Sequence, residues 1–175
     1  MTLTITRADT ADWERARAVR LRSLREEPSA YGSTYDRELS LREQDWQERL
    51  ATAYTWLALD DAEAAVGTVT GLWVRNGDMA LVAMYVAPEA RGTGCAEALI
   101  EAVVDTTRWR GGTRVVLEVT EGNDRAVRCY ERFGFSPTGR RRPSGRNPEL
   151  TEIEYAFATA DDAGSGSSRY VGAPG

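Results

Sequence analysis

Apolar and polar positions along this chain follow two periods, and the switches between them outline the elements. Residues 2–8, TLTITRA, alternate and are rich in β-branched side chains, which predicts a first strand. Asp9 or Thr10 can cap the next helix, where Trp13, Ala16, Val19 and Leu24 recur at helical spacing up to Pro28. The stretch EEPSAYGSTYDRELS, residues 26–40, has the Pro, Gly and Ser content of a loop, and Ser40 then caps a short amphipathic helix over 41–50 with Trp46 and Leu50 on one face. Three strands follow, over 55–59, Ala65–Trp73 and Met79–Val86; acidic DDAEA separates the first two, and RNGD, with its Asn76-Gly77 hairpin signal, the second two. A helix over 96–108 turns Leu99, Val103 and Val104 inward and closes at Gly111-Gly112. Arg114–Thr120 is a strand of nearly continuous apolar character, and Asp124–Phe133 is a helix ended by Gly134. FSPTG starts another strand, RRRPSGRNP reads as a loop, and residues 150–158, LTEIEYAFA, alternate as a last strand.

The order is strand, two helices, a three-strand meander, helix, strand, helix and two strands. That is a mixed α/β sheet with crossover helices in one domain over residues 1–158, with no internal repeat. Residues 159–175, TADDAGSGSSRYVGAPG, have linker composition and are expected to form a flexible tail. No apolar run approaches a membrane span, and the first residues lack a basic head followed by an apolar stretch. With only Cys95 and Cys129, neither a disulfide framework nor a common zinc spacing is present, and a cytoplasmic location is expected.

Charge narrows the chemistry. All 22 basic residues are arginine; there is no lysine and no histidine. No imidazole can act as a base or metal ligand and no lysine can form a Schiff base, so histidine-dependent triads and most zinc hydrolases are excluded and no metal is expected. A net charge of -5 argues against broad nucleic-acid binding and mildly for cationic partners. The arginine-rich RGGTR and GRRRPSGR stretches lack interleaved aromatic residues and read as solvated loops, one arginine of which could meet a phosphate.

The segment VAPEARGTGCAEALIEAV carries the candidate chemistry. A helix start leaves backbone N–H groups without intrahelical partners and carries partial positive charge, and glycines there let an anion approach closely. Gly92, Thr93, Gly94, Cys95 and Ala96 can present a ring of N–H donors to a phosphate, with Arg91 at the rim. The chain has no Gly-Lys-Ser/Thr for a nucleoside-triphosphate loop and no third glycine at the dinucleotide spacing.

This segment resembles the acyl-CoA binding motif of the GNAT superfamily of N-acyltransferases, Arg/Gln-x-x-Gly-x-Gly/Ala, through Arg91, Gly94 and Ala96. A second block, VTEGNDRAVRCYERFGFSPTG, is similar to the superfamily's Asn-x-x-Ala-x-x-x-Tyr-x-x-x-Gly-Phe through Asn123, Ala126, Tyr130, Gly134 and Phe135. The resemblance covers residues 2–158, and EEPSAYGSTYDREL and PTGRRRPSGRNPELTEIEY look more loosely like one bacterial branch. It implies a mostly antiparallel sheet of about seven strands, splayed between the fourth and fifth, with four helices.

The resemblance also implies acetyl-CoA as cosubstrate, with its pantetheine arm paired to the backbone of Met84, Tyr85 and Val86, its pyrophosphate on the amides of residues 92–97, and Asn123 contacting the arm. A backbone N–H near Val86 would polarise the thioester carbonyl, and Tyr130 would be the general acid at the leaving thiolate. Many members carry an acidic residue eleven positions before the motif arginine; here that position is Ala80, which leaves Glu38 and Glu118 as candidate bases. Tyr31, Ser33, Tyr35 and Trp73 are candidate lining for the acceptor. The expected reaction is acetylation of a small-molecule amine by direct attack, in a protein that could be a homodimer. A protein acetyltransferase and a non-catalytic acyl-CoA binder are the alternatives.

Overall fold

The computed structural model describes residues 2–74, 77–145 and 147–159. Its elements run β1 (Thr4–Arg7), α1 (Trp13–Glu26), α2 (Tyr35–Leu39), α3 (Glu43–Thr52), β2 (Tyr54–Leu59), β3 (Ala65–Trp73), β4 (Met79–Val86), α4 (Cys95–Trp109), β5 (Arg114–Thr120), α5 (Asp124–Phe133), β6 (Ser136–Pro143) and β7 (Thr151–Ala158). The seven strands form one sheet in the order β1-β2-β3-β4-β5-β7-β6, antiparallel throughout except between β4 and β5. This is the mixed, mostly antiparallel sheet that the resemblance implies.

Helix α4 shows how the apolar period builds the core. Leu99, Ile100, Val103, Val104 and Thr107 recur on one face and are buried. The helix packs across β2, β3 and β4. Gly67 of β3 permits that approach, because a Cβ there would sit 3.0 Å from Cys95 Sγ and 3.1 Å from Leu99 Cδ1. Helix α1 buries Ala16, Val19 and Leu24 and packs on β3 and on α3. Each fully buried leucine or valine is worth about 1.5–3 kcal/mol relative to exposure.

The one parallel pairing is short. Strands β4 and β5 share only the pairs Met79↔Val115 and Ala80↔Val116, and beyond them the two strands part. The gap opens toward the C-terminal ends of both, where the β4–α4 turn and the start of α5 lie.

Several expectations are corrected. Among the described residues there are five α-helices rather than four: the stretch read as a loop over 26–40 holds a turn of 3-10 helix at Pro28–Ala30 and the short helix α2, whose N-cap Thr34 accepts from Arg37 N at 3.3 Å. Ser40 ends that helix instead of starting α3, and Arg42 is the N-cap of α3. RRRPSGRNP is strand in its first half, since β6 continues to Pro143 as the sheet's exposed edge. Asn76 of the hairpin signal and the tail beyond Thr159 lie outside the described residues.

Candidate active site

Strand β4 is irregular where the sheet opens. Thr70 pairs with Val82 and Thr68 with Tyr85, so Val69 alone faces two residues, and Ala83 takes φ 53. A bulge of this kind bends its strand, and a left-handed alanine costs on the order of 1–2 kcal/mol. After the bulge the backbone alternates. Ala87 N donates to Val66 O of β3 at 2.8 Å, and Tyr85, two residues earlier, likewise turns its backbone to β3. The Met84 carbonyl, on the same peptide unit as the Tyr85 N–H, and the backbone of Val86 therefore turn to the gap. Both carbonyls are already engaged: Tyr31 Oη donates to Met84 O at 2.9 Å and Arg91 Nε to Val86 O at 3.1 Å. What remains toward the gap is the N–H group of Val86, which shares a peptide unit with the β3-facing Tyr85 carbonyl. Of the three residues expected to pair with a pantetheine arm, Tyr85 is thus committed elsewhere, and its hydroxyl donates to Glu26 Oε2 at 2.6 Å.

The turn after β4 is shaped by two glycines. Gly92 and Gly94 take φ 75 and φ 85, and a Cβ at either would meet nothing within 4 Å, so both face open space. Gly94 is the N-cap of α4 and offers no side chain to the first amides of that helix. Thr93 Oγ1 is turned back to Ala90 O at 2.7 Å, and Cys95 is buried against Gly67. Only the backbone of these two can serve a ligand. Burial pushes the Cys95 thiol up to about 11. This open N–H cradle, with its positive helix end, fits the pyrophosphate of acetyl-CoA.

A carboxylate reaches the same place from the residue that ends α1. Glu27 Oε1 accepts from Arg91 Nη2 at 2.8 Å and also from Arg125 Nη2 of α5, joining the two walls of the cleft. Glu97, in the first turn of α4, is held below the usual carboxylate range by its own backbone N–H and by Arg132, whose Nη2 lies 2.5 Å away. Neither link is visible in the sequence, because the Glu27 partners stand 64 and 98 residues away.

Asn123 caps α5, its Oδ1 accepting from Ala126 N at 3.2 Å. About two helical turns further, Tyr130 is 8% exposed, with its ring edge-on to Phe135 at 5.7 Å. Its hydroxyl has no hydrogen-bond partner among the described residues and borders the cleft. Burial, and then the neighbouring Cys129 and Tyr31, push this phenol well above its ordinary value, so it stays protonated at neutral pH.

These residues surround one cleft of 2130 Å³, bounded by residues 26–33, β4, the glycine turn, α5 and the open faces of β5, β7 and β6. It brings together Met84, Val86, Arg91, Gly92, Gly94, Ala96, Asn123, Tyr130, Glu118, Tyr31 and Ser33. It does not include Glu38, Tyr35 or Trp73. Glu38 is 2% exposed and paired with Arg20 and Arg49 inside the helix layer, Tyr35 Oη accepts from Arg25 at 2.6 Å, and Trp73 lies at the far end of β3 against Gly112. Glu118 stands on the cleft wall with both oxygens on Arg142, which also approaches Glu152 at 3.3 Å. Among the described residues no three His, Cys, Asp or Glu side chains gather as metal ligands do, and no helix is long and apolar enough to cross a membrane.

Comparison with known proteins agrees with this geometry. The model of the acetyltransferase (GNAT) family matches residues 18–135. A mycothiol acetyltransferase of Beutenbergia cavernae is 34% identical over 100 residues, which cover 55% of this chain and 33% of that protein. The chain spans less than two thirds of the length of the curated relatives it matches. Among solved structures, the ribosomal-protein-S18-alanine N-acetyltransferase of Escherichia coli superposes with a TM-score of 0.67 at 20% identity, covering 95% of this chain and 99% of that one. The structure of yncA from Salmonella typhimurium with its cofactor acetyl-CoA superposes with a TM-score of 0.71 at 17% identity, covering 94% and 98%.

Proposed function

The chain belongs to the acetyltransferase (GNAT) family, and from that membership we propose that it moves an acetyl group from acetyl-CoA to the primary amine of a small molecule by direct attack. The observation that carries this reading is the meeting, in one cleft, of the gap-facing Val86 N–H on β4 with a Tyr130 hydroxyl that has no hydrogen-bond partner among the described residues. Acetyl-CoA, when bound, supplies the acetyl group as a thioester, so that the amine nitrogen forms a C–N bond while the C–S bond breaks and its electron pair leaves on sulfur.

The chain's own residues then divide the work. The amides of residues 92–97 and Arg91 hold the phosphates. The backbone of β4 at Met84 and Val86 aligns the pantetheine, and the Val86 N–H polarises the thioester carbonyl; one such donor is worth about 3 kcal/mol in comparable sites. Tyr130 gives its proton to the departing sulfur. Glu118, facing the same cleft, takes the proton that the attacking ammonium must lose. Ser33 borders the acceptor end. The mycothiol acetyltransferase among the relatives supports a small-molecule acceptor.

A second reading, acetylation of a polypeptide amine, has one observation in its favour. Helix α2 packs against α1, and none of its residues lines the cleft. Thiol release from acetyl-CoA, run against amines, amino sugars, amino acids and peptides, separates the two. Release with a small amine supports the proposal; release with peptides alone replaces it; no release with any of them contradicts both.

A further inference from the structure

We propose that Tyr31 is a positioning residue for acyl transfer, acting through the Met84 carbonyl to fix the β4 bulge; this rests on the reading of the cleft as an acetyl-CoA site. The bulge has no neighbour on its open side, because β5 has already turned away after Ala80↔Val116. Left to itself, a left-handed alanine in a half-paired strand tends to relax, since such a conformation costs about 1–3 kcal/mol and persists only where its surroundings hold it. Tyr31 supplies the hold. Its hydroxyl reaches across 53 residues of sequence to Met84 O at 2.9 Å.

The hold is itself anchored. The Tyr31 ring is buried, and the Arg20 guanidinium stacks on it with Cζ 4.6 Å from the centroid. Arg20 is fixed by two bonds to the carboxylate of Glu38, both 3.1 Å, and Arg49 adds a third at 3.2 Å. Arg20 Nη1 has no hydrogen-bond partner among the described residues. A buried ion pair is a poor device for stability alone, since an apolar replacement often does as well. Here it orders the chain Glu38–Arg20–Tyr31–Met84, which runs from the interior of the helix layer to the edge of the gap.

Peptide planarity carries the constraint onward. The Met84 carbonyl and the Tyr85 N–H share one rigid unit, held by Tyr31 on one side and β3 on the other. The next unit holds the Tyr85 carbonyl toward β3 and so aims the Val86 N–H into the gap. Without the Tyr31 hydroxyl the first unit keeps only its Tyr85 N–H pairing to β3, so the bulge loosens and the Val86 donor is less closely aimed.

Tyr31→Phe removes one oxygen and keeps the ring. Two measurements test the role. In the free protein, hydrogen exchange at the Tyr85 amide, which pairs with β3 on the peptide unit that Tyr31 holds, is expected to speed up selectively in the variant; exchange unchanged there overturns the role. With acetyl-CoA isotope-labelled at the thioester carbonyl as the probe, the infrared carbonyl band of the bound molecule is expected to move back toward its position in free acetyl-CoA. Affinity for acetyl-CoA should stay within about threefold, since the phosphate contacts are untouched. With an acceptor that the wild type acetylates, kcat should fall by about tenfold or more, a misaligned donor being the cause, while the acceptor KM holds. A raised acceptor KM at unchanged kcat makes Tyr31 a substrate contact and overturns the role, and so does an unmoved carbonyl band. Failure of the wild type to bind acetyl-CoA overturns the acyl-transfer reading and this role with it.

Discussion

Glu38 accepts Arg20 Nε and Nη2 on its two oxygens, each at 3.1 Å, with the carboxylate 2% exposed. A charge so placed belongs to the helix layer, not to the chemistry of the cleft. Burial alone would raise this carboxyl, but the hydrogen bonds and charge of Arg20, the Ser33 hydroxyl and the charge of Arg49 outweigh it and hold it below the usual carboxylate range.

The first prediction concerns stability. Breaking one partner of a buried pair costs about 3–5 kcal/mol, so Glu38→Gln should lower the denaturation midpoint strongly at pH 7. Because the folded carboxyl is depressed, its contribution is present above the unfolded value, about 4.3, and is lost as pH falls through the folded one. Wild type and variant should therefore converge in acid. Equal urea midpoints at neutral pH contradict this placement of Glu38.

Tyr130→Phe should lower kcat by about a hundredfold, the ordinary contribution of a positioned proton donor, while acetyl-CoA affinity measured by calorimetry is unchanged. Burial keeps the phenol protonated, so the alkaline side of the wild-type kcat profile should show no loss from this group below about pH 10. An unchanged turnover in the variant removes Tyr130 from the reaction.

Gly94→Ala adds a Cβ in the cradle at φ 85. The backbone cost is about 1–2 kcal/mol, and acetyl-CoA affinity should fall by more than about tenfold. Gly111, at φ 77 and equally open, is the control. Gly111→Ala should lose comparable stability without losing affinity; a parallel loss of affinity in both would assign the effect to folding alone.

Glu118→Gln should lower kcat/KM for the acceptor by about a hundredfold if this carboxylate takes the amine's proton. Were it only the counter-charge of Arg142, adding Arg142→Gln to that variant would restore activity. The expected result is no recovery in the double variant, read by steady-state kinetics.

Much of this was legible in the sequence where the signal is local. Gly92, Gly94, Asn123 and Tyr130 belong to two turn-and-helix units whose spacing fixes their relative placement. The continuous apolar run of β5 and the period of α4 are equally local. Helix α2 is hidden because Pro28, Gly32 and Ser33 dominate the reading of its neighbourhood, although Thr34 caps it. Strand β6 lacks an apolar period because it is an exposed edge paired only to β7. Nothing in MALVAMYV marks Ala83 for positive φ; that is imposed by the two-against-one pairing with Val69. Glu38 and Tyr31 have the residue types of a base and a substrate contact, and only tertiary distance reveals that each is bonded to another part of the fold.

The most direct test of acetyl transfer by direct attack is a single turnover, with acetyl-CoA limiting and an accepted amine in excess, followed by intact-protein mass. Burial pushes the Cys95 thiol up to about 11 and raises that of Cys129, leaving both poor nucleophiles. The predicted result is acetylated amine formed at the rate of thiol release, with the protein mass unchanged throughout. Transient gain of one acetyl group by the protein before the amine is acetylated would contradict the account.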